Sequence, residues 1–83
     1  MGEKKITLQD VVEENRKIRM LRLMVDLSLS LILQKQLTRE EALEQFARVK
    51  RFALKLFPGK EEAFELIYAP KFKRAIAETY GFH

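Results

Sequence analysis

Glycine and proline are confined to five positions of this 83-residue chain, and this confinement restricts its fold more than any other feature. The glycines are Gly2, Gly59 and Gly81, and the prolines are Pro58 and Pro70. The chain therefore runs from position 3 to position 57 without a residue that breaks a helix. Most of this stretch consists of strong helix formers such as Leu, Glu, Lys, Arg and Gln. Such a sequence favours an all-α fold.

Capping signals divide the chain into three predicted helices. Thr7 is followed three positions later by Asp10, and Thr38 by Glu41, so each threonine can open a helix with a capping box or a variant of one. The Pro-Gly pair is a stop signal for the second helix. We predict helices at about 7–36, 38–57 and 60–80 in a single domain, 1–83, with a flexible start at 1–6.

Pro70 falls inside the third predicted helix. Because proline has no backbone N–H, it cannot donate the hydrogen bond that a helix interior requires. It must either kink this helix or split it, opening a fourth helical piece. Short connections make consecutive helices pack antiparallel. The sequence therefore predicts a three-helix bundle, or four helices if Pro70 splits the last.

One segment of the first helix also carries the pattern of a strand. Every odd position from Leu21 to Leu33 is apolar, whereas Arg22, Asp26 and Ser30 stand at even positions. The run is longer than most strands and is rich in Leu rather than in β-branched residues, so we predict a helix.

As a helix, this segment has an apolar arc of about 200°. So wide an arc indicates either a helix at the centre of the bundle or one that shares its far side with a second subunit. Ser28 falls within the arc, where a small side chain lets a neighbouring helix approach and its hydroxyl can bond back to a carbonyl. In the bundle, we expect a central helix 1 to pack against apolar residues of the later helices: Phe46, Val49, Phe52, Leu56, Phe64, Ile67, Phe72 and Ile76.

The start of the first helix has its own apolar patch. Leu8 and Val12 project away from the wide arc, and with Ile6 and Val11 they form a patch within a charged segment. The first helix, about 45 Å long, overhangs the second, about 28 Å long, and must bend over the third helix or dock on another chain. The residues predicted to bind a partner are Leu8, Val11, Val12, Leu23 and Leu29.

The residue types that catalysis and metal binding need are scarce. The chain has no Cys, and its one His is the last residue, His83, which we predict to be a solvated tail. Neither a phosphate-binding glycine loop nor a nucleophile elbow occurs. Free amides near Gly59 are an alternative anion site, but one Gly and one Lys are a weak signal and we predict a stiff interhelical turn. We predict a non-enzymatic protein without catalytic, cofactor or metal sites.

A net charge of +4 and three basic clusters raise an alternative function. Basic patches interleaved with aromatic residues bind nucleic acid through phosphate contacts and base stacking. The same charges also fit the helix dipole, because helices 2 and 3 run from acidic starts to basic ends. The residues of the nucleic-acid alternative are Arg48, Arg51, Lys55, Lys71, Lys73 and Arg74.

The sequence also predicts where the chain resides and what it binds. No apolar core follows the first basic residues, as a signal peptide requires, and the most apolar stretch, 20–33, is short and carries charges. We therefore predict a cytoplasmic protein that does not bind membranes, with a composition that suits a thermophile. Its predicted role is a protein-interaction module, homodimeric through helix 1 or its N-terminal arm, with another protein as the alternative partner.

Overall fold

The computed structural model describes residues 7–81 of the chain. It contains four helices: α1 (Leu8–Leu33), α2 (Arg39–Leu56), α3 (Glu61–Ile67) and α4 (Ala69–Tyr80). No strand occurs within residues 7–81, and the segment with alternating hydrophobicity is part of α1. The all-α prediction is confirmed. The predicted flexible start at 1–6 and the predicted tail at His83 lie outside the described residues.

Both predicted capping boxes are present. The Thr7 hydroxyl accepts a hydrogen bond from the backbone N–H of Asp10, and the Asp10 carboxylate accepts one from the N–H of Thr7. Thr38 and Glu41 form the same reciprocal pair, with distances of 3.1 and 2.9 Å. An N-cap of this kind contributes about 1 kcal/mol. The caps fix the residues at which α1 and α2 begin.

Helix α1 ends at Leu33, before the predicted boundary near residue 36. Lys35 has a left-handed backbone, with a φ of 56°. The backbone N–H of Lys35 donates to the carbonyl of Ile32, and that of Gln36 donates to the carbonyl of Leu31. This pair of bonds is a Schellman motif, which ends a helix and most often places glycine at the left-handed position. The sequence prediction was too long because Lys35 gives no such signal.

Pro70 splits the third predicted helix into α3 and α4. Tyr68 lies at the junction, where its N–H donates to Phe64 and its carbonyl accepts from Lys71 and Phe72. Pro70 occupies the first turn of α4, where backbone N–H groups have no partner within the helix, so the N–H that proline lacks is not needed. The four-helix alternative is therefore the correct one, and a single kinked third helix is not formed.

A tight turn connects α2 to α3. The N–H of Lys60 donates to the carbonyl of Phe57 at 3.2 Å, and Gly59 has a φ of 81°. Proline at the second position and a left-handed glycine at the third define a type II turn. The geometry is that of a stiff connection between helices.

Helices α2 and α4 each pack against all three other described helices, whereas α1 packs against α2 and α4 only. Phe72 of α4 is fully buried and stacks on Phe46 of α2, with ring centroids 5.1 Å apart. The predicted central position of helix 1 is therefore not confirmed, because α1 makes no contact with α3 of the kind that α2 and α4 make.

Most of the predicted core is confirmed. Four of its residues are buried and three are half-buried against the core, namely Val49, Phe64, Phe72 and Ile76, then Phe46, Phe52 and Leu56. Ile67 is 55% exposed, contrary to the prediction, because Phe64 is the residue through which the short α3 enters the core. α1 contributes one face to this core, formed by Leu21, Val25, Ser28 and Ile32.

Ser28 is buried between helices, as its place in the apolar arc predicted. Its hydroxyl oxygen accepts a hydrogen bond from Nε2 of Gln45 in α2, at 2.9 Å. A buried hydroxyl requires such a partner, because leaving it unsatisfied costs about 1–3 kcal/mol. This bond fixes the relative position of α1 and α2.

Candidate interaction surface

The start of α1 projects beyond the bundle. α1 has 26 residues, and its first buried residue is Leu21. Residues 7–16 are all exposed. At 1.5 Å per residue α1 is about 39 Å long, and the elongated extents of the protein, 53 × 20 × 15 Å, agree with a protruding helix. We call residues 8–19 of α1 the arm.

The arm exposes apolar side chains. Leu8 is 81% exposed, Val11 44% and Val12 47%. Because α1 is one continuous helix and residues 7–16 are all exposed, the arm does not bend over the third predicted helix, which was one of the two predicted arrangements. The capping box at Thr7 keeps the arm helical although no other described helix covers it.

A second apolar row follows along α1, which we call the seam. Its members are spaced three and four residues apart, so they lie on one side of the helix, and each is 42–60% exposed: Met20, Leu23, Leu27 and Leu31. The other helices cover one part of the wide apolar arc of α1 and leave the seam exposed. Of the predicted partner-binding residues, Leu23 lies in the seam, whereas Leu29 is half-buried and packs on the core.

An apolar groove of about 250 Å³ opens where α1 enters the bundle. Side chains from three helices line it, including Ile18, Leu21, Leu54, Phe57, Phe64 and Ile67. Lys60 is its one charged lining residue. Sequence reasoning missed this groove because it depends on the position of α3 relative to α1. The only signal in the sequence was the segment of α3 itself, which has more apolar residues than its seven positions can bury in the core.

An ion-pair cluster holds the α3 wall of this groove against α2. Lys50 Nζ lies 2.7 Å from a carboxylate oxygen of Glu65 and 3.2 Å from one of Glu61. Hydrogen bonds with Glu65 and Glu61 raise the pKa of Lys50 above its usual 10.5. The hydrogen bond from Lys50 lowers the pKa of Glu65 below its usual 4.5. The cluster is therefore charged across the neutral range and positions α3.

The basic end of α2 faces away from α4. Phe46 stacks on Phe72 and so marks the side of α2 that meets α4. At 100° per residue, Arg48, Arg51 and Lys55 lie about 140–200° around the helix from Phe46. All three are exposed. They form one cationic row on the far side of α2.

The basic residues of α4 lie elsewhere. Lys71, Lys73 and Arg74 are exposed on the first turns of α4, and Lys71 Nζ lies 5.8 Å from the centroid of the Tyr68 ring. Since the α2 row points away from α4, the structure does not bring all six predicted nucleic-acid-binding residues onto one surface.

The described part of the chain holds neither a metal site nor a membrane span. Within residues 7–81, no three His, Asp or Glu side chains come together as metal ligands. None of the four helices is long and apolar enough to cross a membrane.

Comparison with known proteins finds no matching protein-family model, no matching curated protein and no matching solved structure.

Proposed function

We propose that the protein is a non-enzymatic helical interaction module that forms a homodimer through α1. The carrying observation is the concentration of exposed apolar side chains on this one helix, in the arm and in the seam. Monomeric globular proteins rarely expose contiguous apolar patches of more than a few hundred Å². Burying these side chains against another chain removes them from water at a gain of roughly 25 cal/mol per Å².

The size of the chain supports a second copy as the partner. A domain of 83 residues buries a smaller fraction of its surface than a larger domain does and gains much from association. α1 also buries only one narrow face in its own bundle, formed around Leu21 and Val25. Self-association uses the surface that folding leaves uncovered.

Light scattering on a sizing column tests this proposal. We expect a dimer at micromolar concentration for the wild-type chain and a monomer for Leu8→Ser/Val12→Ser, because two apolar contacts are lost in each copy. Leu66→Ser is the matched control, since Leu66 is 72% exposed on α3, outside α1. A wild-type monomer at high micromolar concentration contradicts the proposal.

Nucleic-acid binding is the second candidate, favoured by the exposed cationic row of Arg48, Arg51 and Lys55. Binding through this row releases counterions and weakens steeply with salt. We expect mixed-sequence duplex DNA to bind the wild-type chain with a steep negative salt dependence that Arg51→Glu/Lys55→Glu abolishes. An absence of binding at low salt removes this candidate.

A further inference from the structure

We propose that the arms of two copies pair antiparallel about Asn15. This inference rests on the proposed homodimer and specifies its geometry.

The first support is a heptad-like row along the arm. Leu8, Val11, Asn15, Ile18 and Arg22 follow one another at spacings of three and four, the spacing by which two helices contact along a line. All five are exposed. The row is balanced about its middle: an antiparallel neighbour centred on Asn15 places Val11 of one copy next to Ile18 of the other. The two Asn15 amides then meet and can exchange hydrogen bonds, and an asparagine in such a row fixes the register.

The second support is the charge of the arm, which changes sign at the same residue. Three acids precede Asn15 and three bases follow it: Asp10, Glu13, Glu14, then Arg16, Lys17, Arg19. Positions 13 and 17 are equidistant from 15, and so are 14 and 16. An antiparallel neighbour therefore sets the basic half of one arm alongside the acidic half of the other, whereas a parallel neighbour sets like-charged halves together. Complementarity of this kind specifies orientation and partner.

Few of these charged side chains form ion pairs within one copy. Glu14 and Lys17 approach at 3.8 Å. Glu13, Arg16 and Arg19 make no ion pair with another described residue. They are available to a second copy.

A depression on the arm itself matches the same register. Asn15, Ile18, Arg19 and Arg22 frame it at spacings of three, four and seven. This is the pattern of the four residues that form a hole for one side chain of a neighbouring helix. Val11 of the second copy lies level with it.

Disulfide trapping tests the geometry, because the natural chain has no cysteine. Asn15→Cys places two thiols on the symmetry axis, so mild oxidation of the full chain should give a covalent dimer. Leu8→Cys alone should stay uncrosslinked, since its two copies lie about 21 Å apart along the pair. A mixture of Leu8→Cys and Arg22→Cys should give the mixed dimer. Self-crosslinking of Leu8→Cys indicates a parallel pair and overturns the inference.

The outcomes separate this inference from the proposed function. A dimer by light scattering in which Leu23→Cys crosslinks and Asn15→Cys does not shows pairing through the seam. That result overturns the antiparallel arm and leaves the homodimer standing. If light scattering and crosslinking show only monomers, both the antiparallel arm and the homodimer are overturned. Binding of the arm to a different protein would give this result.

Discussion

The Tyr80 hydroxyl donates a hydrogen bond of 2.5 Å to the carbonyl oxygen of Leu37. The two residues are 43 positions apart. The bond joins the end of α4 to the loop between α1 and α2, at the end of the bundle away from the arm. The bond therefore holds α4 against the loop from which α2 begins.

Removal of this hydroxyl should destabilise the fold. We expect Tyr80→Phe to lower the free energy of unfolding by about 0.5–1.5 kcal/mol, because the loop carbonyl loses its donor while the ring stays packed. Urea denaturation measures the change. Tyr68→Phe is the control, since the Tyr68 hydroxyl makes no hydrogen bond to another described residue. Equal losses in the two variants argue against a role for the Leu37 contact.

The left-handed Lys35 predicts a stabilising substitution. A non-glycine residue in this conformation costs about 1–2 kcal/mol, and glycine avoids the cost but loses more chain entropy on folding. We expect Lys35→Gly to raise the free energy of unfolding by about 0.5–1 kcal/mol and the Tm by several degrees, measured by thermal circular dichroism. Gln36→Gly, one position along, should not stabilise. A loss of stability in Lys35→Gly contradicts the strain at this position.

Local signals predicted the starts of the helices well. Thr7 and Thr38 each sit three residues before a carboxylate, and the capping box depends only on those neighbouring residues. Pro70 was equally informative, because the loss of an N–H acts at one position. The end of α1 was not predictable in this way, since Lys35 adopts a conformation for which its residue type carries no preference.

The arrangement of the helices was not predictable from local pattern. The wide apolar arc of α1 predicts a central helix, yet α2 and α4 are the helices that pack against all three others. An apolar arc indicates that other residues cover this face of the helix. It does not indicate whether those residues belong to the same chain or to a second one. For the same reason the sequence indicated the arm, through Leu8 and Val12, but not the groove beside Ile18, which needs α3 in position.

The close approach of α1 and α2 at Ser28 predicts a strong size dependence. We expect Ser28→Ala to change the free energy of unfolding by less than about 1.5 kcal/mol, because the buried hydroxyl and its single bond to Gln45 are lost together. Ser28→Leu should cost about 1–3 kcal/mol or more, because the site is filled. Chemical denaturation of both variants measures these two changes in the free energy of unfolding. A tolerated leucine shows that α2 does not approach closely here.

The Lys50–Glu65 pair predicts how stability depends on pH. The pKa of Glu65 is lowered in the folded state, so its stabilisation is complete above 4.5 and is lost as the pH falls through the lower folded value. The pKa of Lys50 is raised, so its stabilisation is complete below 10.5 and is lost as the pH rises through the higher folded value. Both contributions are present between these limits.

Glu65→Gln should therefore weaken the acid dependence. We expect the free energy of unfolding of this variant to fall less than that of wild type as the pH is lowered from neutral through the acid range. Glu62→Gln is the matched control, because Glu62 is exposed on the same helix and makes no ion pair with another described residue. Urea denaturation across this range at low ionic strength is the measurement, since salt screens exposed pairs. Parallel pH profiles for wild type and Glu65→Gln show that the pair does not hold α3 in place.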